Sequence, residues 1–247
     1  MSHKTKLKRP SFLLGLTEGG RAAIELFTYL PYSALNKPTK TGDNHPVLVL
    51  PGFMASDLST IPLRKHVQNI GYQAYGWDQG RNYAKLDYLD ILQDKLDEIY
   101  HKYHQRVSII GWSLGGIYAR QMAKESPELI RQVITMGSPF KAVTQANNAK
   151  WIYDLLTNGQ GEAQLDPRIM EDIPKPAPVP TTAIYTKEDG VVPWKACLEE
   201  PSEIHQNIQV HGSHLGLGVN VTVMQIVADR LKYTKENWQP FEANSDA

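Results

Sequence analysis

The chain has 247 residues, with Lys plus Arg and Asp plus Glu both at 26 and a formal net charge of zero. A neutral chain without a basic stripe offers no electrostatic footprint for nucleic acid. The single cysteine, Cys197, excludes an intramolecular disulfide and fits a reducing compartment. No apolar stretch is long enough to span a bilayer, and one domain of this length buries a core without disulfides or metals.

Residues 1–44 begin with the basic segment "HKTKLKR" and continue as "SFLLGLTEGGRAAIELFTYLP". The run "FLLGL" is too short for a secretion signal, and Thr17, Glu18 and Arg21 interrupt it, so a cytoplasmic protein is expected. The segment reads as an N-terminal helical extension, amphipathic and broken near Gly19 and Gly20, packed on the chain's own sheet. With the basic residues ahead of it, it is also a candidate for peripheral membrane contact.

From residue 45 strand and helix patterns alternate. "PVLVLPGF" (46–53) is a continuous apolar run ending in Pro-Gly. "PLRKHVQNIG" (62–71) carries Leu63, Val67 and Ile70 on one helical face between Pro and Gly. "YQAYGW" (72–77) is a second strand, and "YLDILQDKLDEIYHKYH" (88–104) sets Leu89, Leu92, Leu96, Ile99 and Tyr103 at helical spacing. The strand "RVSIIGW" (106–112) runs into the helix "LGGIYARQMAKES" (114–126). Further strands are "IRQVITMGS" (130–138), "TTAIYTKED" (181–189) and "NIQVHG" (207–212), and "VTVMQIVADRL" (221–231) is a closing helix. This alternation predicts an α/β fold, a mostly parallel sheet covered by helices on both faces. Residues 45–139 and 181–235 form its core, residues 140–180 are an insert, and residues 236–247 are a tail frayed at "FEANSDA". The insert contains the helical-looking "WIYDLL" and ends in the extended, proline-rich "PKPAPVP".

The stretch "IIGWSLGG" puts Ser113 between Gly111 and Gly115 where a strand turns into a helix. The G-x-S-x-G spacing is that of a nucleophile elbow, in which a strained turn exposes the hydroxyl and small neighbours relieve crowding. A serine needs a base, a group that orients the base, and donors for the oxyanion. The order Ser, acid, His then points to Asp189 in "YTKEDGVVPW" and His214 in "QVHGSHLGLG", both beyond strand ends at the sheet edge where open α/β sheets place their sites. Glu188 rivals Asp189 and His211 rivals His214. Asp189 lies nearer the turn, and His214 lies farther into its loop. The spacings His211-x-x-His214 and His101-x-x-His104 lack a third metal ligand, so no metal is expected. The oxyanion donors are the backbone amides of Leu114 and of Phe53 in "PGFM", with Met54 next.

On these stretches, with "HPVLVLPGF", "ITMGSPF", "KEDGVVP" and "GSHLGLGVN", the chain resembles the α/β-hydrolase family over residues 45–233, more closely its bacterial lipase and esterase branch. The resemblance implies hydrolysis of carboxylic esters through an acyl-enzyme without a cofactor. It places Ser113 on the nucleophile, Asp189 on the acid, His214 on the base, and Phe53 and Leu114 on the oxyanion residues. Pro51-Gly52 stands where many members carry His-Gly, and no pair of leading strands precedes residue 45, so a reduced sheet of about six strands is expected. The insert 140–180 falls where lids and caps occur, and Trp151, Ile152, Leu155 and Leu156 would give it an apolar face. Met54, Trp112 and Trp151 are the candidate substrate-binding side chains. "GWDQGRN" offers Asp78, Arg81 and Asn82 at the same edge, either as substrate contacts or as a polar turn.

The expected activity is that of a serine esterase or lipase on a small-molecule or lipid-like ester. An acyltransferase with the same three residues is the alternative, and a non-catalytic binding protein on the same fold is a third reading.

Overall fold

The computed structural model describes residues 7–35, 39–85, 87–141 and 171–242. Among the described residues six strands form one sheet: β1 (Pro46–Leu50), β2 (Gln73–Tyr75), β3 (Val107–Trp112), β4 (Ile130–Met136), β5 (Thr181–Thr186) and β6 (His205–Val210). Their order is β2-β1-β3-β4-β5-β6, and every neighbouring pair is parallel. Among the described residues, the helices that accompany them include α1 (Phe12–Leu35), α2 (Asp57–Asn69), α3 (Tyr88–Tyr103), α4 (Leu114–Glu125) and α5 (Val221–Arg230).

The apolar runs become central strands because both faces are buried. Successive side chains on a strand point to opposite faces, so each strand feeds two cores. Leu48, Leu50, Ile109 and Val133 pack with Leu92 and Leu96 of α3 and Ile117 and Met122 of α4. Val47, Val49, Ile110 and Ile134 pack with Leu63 and Val67 of α2 and Val223 and Val227 of α5. The chain leaves β1 towards β2 on one side and returns as β3 on the other. That reversal leaves a crevice at the carboxyl ends of β1 and β3, where α/β sheets bind ligands.

Two elements differ from the sequence expectation. Helix α2 begins at Asp57, five residues before Pro62, with the proline inside it. Its first turn is anchored from outside, because the Asp57 carboxylate accepts the amides of Trp77 (3.0 Å) and Asp78 (2.9 Å). Helix α1 runs unbroken through Gly19 and Gly20. Two glycines in a helix cost about 1 kcal/mol each relative to alanine, and the tertiary bonds of Glu18 and Glu25, described below, offset that cost. The helix packs on α5 and on the 3₁₀ turn Leu217–Val219, with Tyr29 joining the core.

Most of the insert, residues 142–170, lies outside the described residues. Its flanks belong to the core: Phe140, Ile173, Ala177 and Val179 are buried. The proline-rich return is pinned through its carbonyls, Lys175 O accepting from Arg120 Nη2 (2.7 Å) and Ala177 O from His205 Nε2 (2.9 Å). Arg120 is itself buried, paired with Glu199 and lying over the Phe140 ring, and burial pulls its pKa down to about 9, Asp172 opposing. Among the described residues no helix is long and apolar enough to cross a membrane.

Candidate active site

Ser113 sits between β3 and α4 with φ 52° and ψ −118°. A non-glycine residue with positive φ outside the left-handed helical well is strained, so the surrounding bonds must hold it. Its amide donates to Met136 O on β4 (2.8 Å), and its carbonyl accepts from Gly116 N (3.1 Å). The glycines of the motif are required by close approach. A Cβ on Gly111 would overlap the Gly115 carbonyl, one on Gly115 the Leu50 carbonyl, and one on Gly116 the Ser138 hydroxyl. The helix therefore starts directly against β1 and β4, and Ser113 is presented at its N-terminus.

The loops after β5 and β6 bring the other two residues together. Asp189 Oδ2 lies 2.7 Å from His214 Nδ1, and both side chains are almost wholly buried. The other carboxylate oxygen accepts the amides of Val191 (2.8 Å) and Val192 (2.7 Å), which fixes the rotamer. A carboxylate on Nδ1 selects the tautomer with its proton there and leaves Nε2 as the acceptor. The His214 carbonyl accepts from the Trp112 indole (3.1 Å). The rival pair is joined separately: Glu188 Oε1 meets His211 Nδ1 at 2.8 Å, and the His211 side chain is 86% exposed. That hydrogen bond leads the interactions that lower the Glu188 pKa. His211 and His214 thus turn to different carboxylates, which is not the geometry of a metal pair.

Ser113 and His214 line one cavity of about 260 Å³ together with Gly52, Phe53, Ala55, Ser59, Trp112, Val191, Val192 and Leu215. Its walls are mainly apolar. Gly52 stands against Ser113, since a Cβ on it would lie 3.2 Å from the serine Cβ. The amide of Met54 is already bonded to Asn82 O (2.7 Å), whereas neither the Phe53 nor the Leu114 amide pairs with a carbonyl among the described residues. Phe53, not Met54, therefore keeps a donor for a ligand. Met54 is absent from the cavity wall and half exposed. Trp112 lines the cavity, but its indole is held by the His214 carbonyl and packs against Gly218. Trp151 lies outside the described residues. Cys197 is buried, and burial, with Asp189 nearby, pushes its thiol pKa well up, so it offers no thiolate.

Sequence reasoning missed the supports of the site. Asn82 is fully buried. Its side chain donates to Pro51 O (2.9 Å), and its backbone exchanges bonds with Met54 and Ala55. It holds the Phe53 loop in place and does not face the cavity, whereas Asp78 pairs with Lys95. The larger omission is α1. Glu18 accepts the amides of Gly190 (2.6 Å), His214 (3.2 Å) and Leu215 (3.2 Å). It therefore ties the loop of Asp189 to the loop of His214. Glu25 accepts from the Ser213 amide (3.1 Å), the Ser213 hydroxyl and Asn220 Nδ2 (2.9 Å), in space that side chains on Gly212 and Gly216 would fill. The available signal was the polar stripe Glu18, Arg21, Glu25 in a helix otherwise without charge.

Compared with known proteins, residues 65–167 match the PGAP1-like alpha/beta domain family. The matched stretch contains Ser113 but neither Asp189 nor His214. No curated protein matches the chain in sequence. Among solved structures, lipase B of Aspergillus fumigatus superposes with a TM-score of 0.58 at 15% identity, covering 78% of this chain and 54% of that one; the chain spans about half the length of that lipase. An alpha/beta superfamily hydrolase from Oenococcus oeni gives a TM-score of 0.58 at 15% identity over 78% of this chain and 94% of that one. A mature Bacillus licheniformis lipase gives 0.54 at 18% identity over 79% and 95%. The chain is similar to these proteins in fold.

Proposed function

We propose that this chain, which has the α/β-hydrolase fold of lipases and esterases, is a serine hydrolase of carboxylic esters. The observation that carries the reading is the strained Ser113 in one cavity with a histidine whose far nitrogen is held by a buried carboxylate. Nε2 of His214 accepts the Ser113 proton as Oγ attacks the ester carbonyl. The oxyanion that forms is held by the amides of Phe53 and Leu114, at the N-terminus of α4, where the helix dipole favours negative charge. Asp189 stabilises the imidazolium without taking its proton. The imidazolium protonates the leaving alcohol, giving an acyl-serine. Water deprotonated by His214 then attacks that ester, and the carboxylic acid leaves as Ser113 is reprotonated. The apolar wall of Phe53, Val191, Val192 and Leu215 suits an acyl chain, and among the described wall residues His214 is the only ionisable one.

The test is initial rates on p-nitrophenyl esters from acetyl to palmitoyl, beside Ser113→Ala and labelling with a fluorophosphonate. Turnover and labelling that both vanish in the variant support the reading, and the preferred chain length measures the acyl pocket. An unlabelled wild-type serine with no turnover at any length overturns it. An amide or ester product formed when amines or alcohols compete with water would move the chain to the acyltransferases.

A further inference from the structure

Helix α1 has its polarity inverted relative to an ordinary surface helix. Its only charged residues are Glu18, Arg21 and Glu25, and all three turn towards the protein. Glu18 and Glu25 bind the loops after β5 and β6, and Arg21 donates to Glu188 O (2.8 Å). The opposite face consists of Phe12 (82% exposed), Leu13, Leu16 (71%), Ile24, Phe27 (72%), Leu30 and Leu35. These recur at helical spacing along about 36 Å of helix. A surface helix of a globular protein turns its apolar stripe to the core; here the side facing the protein carries all the charges alongside Tyr29, and the solvent side carries none. Among the described residues nothing packs over that stripe, and large apolar patches of this kind mark interaction surfaces.

Position and charge point to the occupant. The N-terminal end of α1 abuts the candidate site: Phe12, Leu16, Gly190 and Val191 line one groove, and Val191 also lines the Ser113 cavity. Leu215 and Val191 on the cavity wall are themselves exposed, as are Met54 and Leu58 beside it. The apolar stripe is therefore continuous with the mouth. Lys8 and Arg9, exposed just ahead of the helix, follow Lys4 and Lys6 in sequence, and no carboxylate occurs before Glu18. An apolar stripe flanked by cations complements an anionic lipid surface. We infer that α1 docks the chain on such a surface with the Ser113 cavity facing the lipid, so that ester substrate enters from the membrane without crossing water. The orientation rests on the cavity being the catalytic site; the docking does not.

The test is cosedimentation with phosphatidylcholine vesicles with and without phosphatidylglycerol, for wild type, Ser113→Ala, and the double variant Ile24→Glu with Phe27→Glu. Wild type and Ser113→Ala should bind alike, more tightly with phosphatidylglycerol, and less so in high salt. The double variant should bind about tenfold more weakly or worse. It should keep wild-type circular dichroism and its rate on a soluble short-chain ester, while losing rate on ester held in vesicles. Binding by Ser113→Ala reads the surface without turnover, so vesicle binding without any esterase activity would sink the catalytic reading and leave the docking intact. Equal binding by wild type and the double variant, or no vesicle binding by wild type, overturns the inference. A wild-type dimer in sedimentation velocity that the double variant dissociates would also overturn it, assigning the stripe to a second copy.

Discussion

Asp189 and Glu188 are adjacent in the chain, yet they belong to different environments. Asp189 is buried on His214, whereas Glu188 is half exposed on His211. The two pairs make opposite predictions under substitution. Asp189→Asn keeps the shape but replaces an acceptor with a donor, so the imidazole is left in the wrong tautomer. A fall in kcat on the order of 10³-fold or more is expected. Glu188→Gln with His211→Gln removes an exposed side-chain contact, while the glutamine oxygen at position 188 can still accept the Gly212 amide. Surface pairs contribute little, so kcat/KM should stay within about twofold. Steady-state rates on one soluble ester check both, and a large loss in the second variant would reverse the assignment. That Asp189 and His214 lie beyond strand ends was legible, because position relative to strand ends is written in the apolar periodicity; which of the rival carboxylates meets which histidine was not. The role of Asn82 was not legible. A polar residue in a turn looks alike whether it faces substrate or staples a backbone, and only the Pro51 carbonyl 2.9 Å away distinguishes them.

At the scale of elements, the alternation of strand and helix was legible from residue 45 onward because buried parallel strands are short continuous apolar runs bounded by turn residues. Helix α1 was legible as a helix but not in its orientation. Amphipathicity says that two faces differ; it does not say which one meets the protein. Here the polar face does, because the loops after β5 and β6 expose amides that need acceptors. Glu18→Ala would leave the amides of Gly190, His214 and Leu215 without their carboxylate. Stability should fall by about 2–4 kcal/mol, as when a buried charged acceptor is lost. The kcat should fall by about tenfold as His214 loses its fixed position, and KM should change less. Glu18→Gln, which retains one accepting oxygen, should recover part of both. Urea unfolding and kcat measured on the same preparations test this; a stability loss with kcat unchanged would make Glu18 a fold residue with no hold on the site.

Across the whole molecule, the edge of the sheet opposite the site holds a second polar cluster, built around the buried His45. His45, before β1, lies between Asp43 Oδ1 (2.5 Å) and Ser108 Oγ (2.8 Å), and Asp43 Oδ2 pairs with Arg131 (2.8 Å). Burial, with Arg131 adding, pulls the His45 pKa down to about 4 against the opposing pull of Asp43. Burial alone would raise Asp43, but its bonds to His45 and Arg131 hold it at about 2. A depressed histidine pKa means that the unfolded chain binds more protons between about pH 6.5 and 4. Stability is therefore full above pH 6.5 and declines as pH falls through 4, by roughly 3 kcal/mol from His45. His66 and His205, also lowered by burial, act in the same direction, and Asp43 extends the loss from about pH 4 towards 2. Urea midpoints at pH 7, 5 and 4 should show this decline in wild type and a shallower one in His45→Asn. Equal slopes would exclude His45 as a source.

The sequence by itself determined the sheet, its helices, the strand-end position of Ser113, and the order in which Asp189 and His214 follow it. These depend on local periodicity and on turn chemistry, which neighbouring residues carry. Tertiary structure alone decided which carboxylate meets which histidine, which amide near Gly52 stays free, and which face of α1 looks outward. Those outcomes depend on hydrogen bonds between groups as far apart in the chain as Glu18 and His214, and no local pattern encodes a partner nearly two hundred residues away.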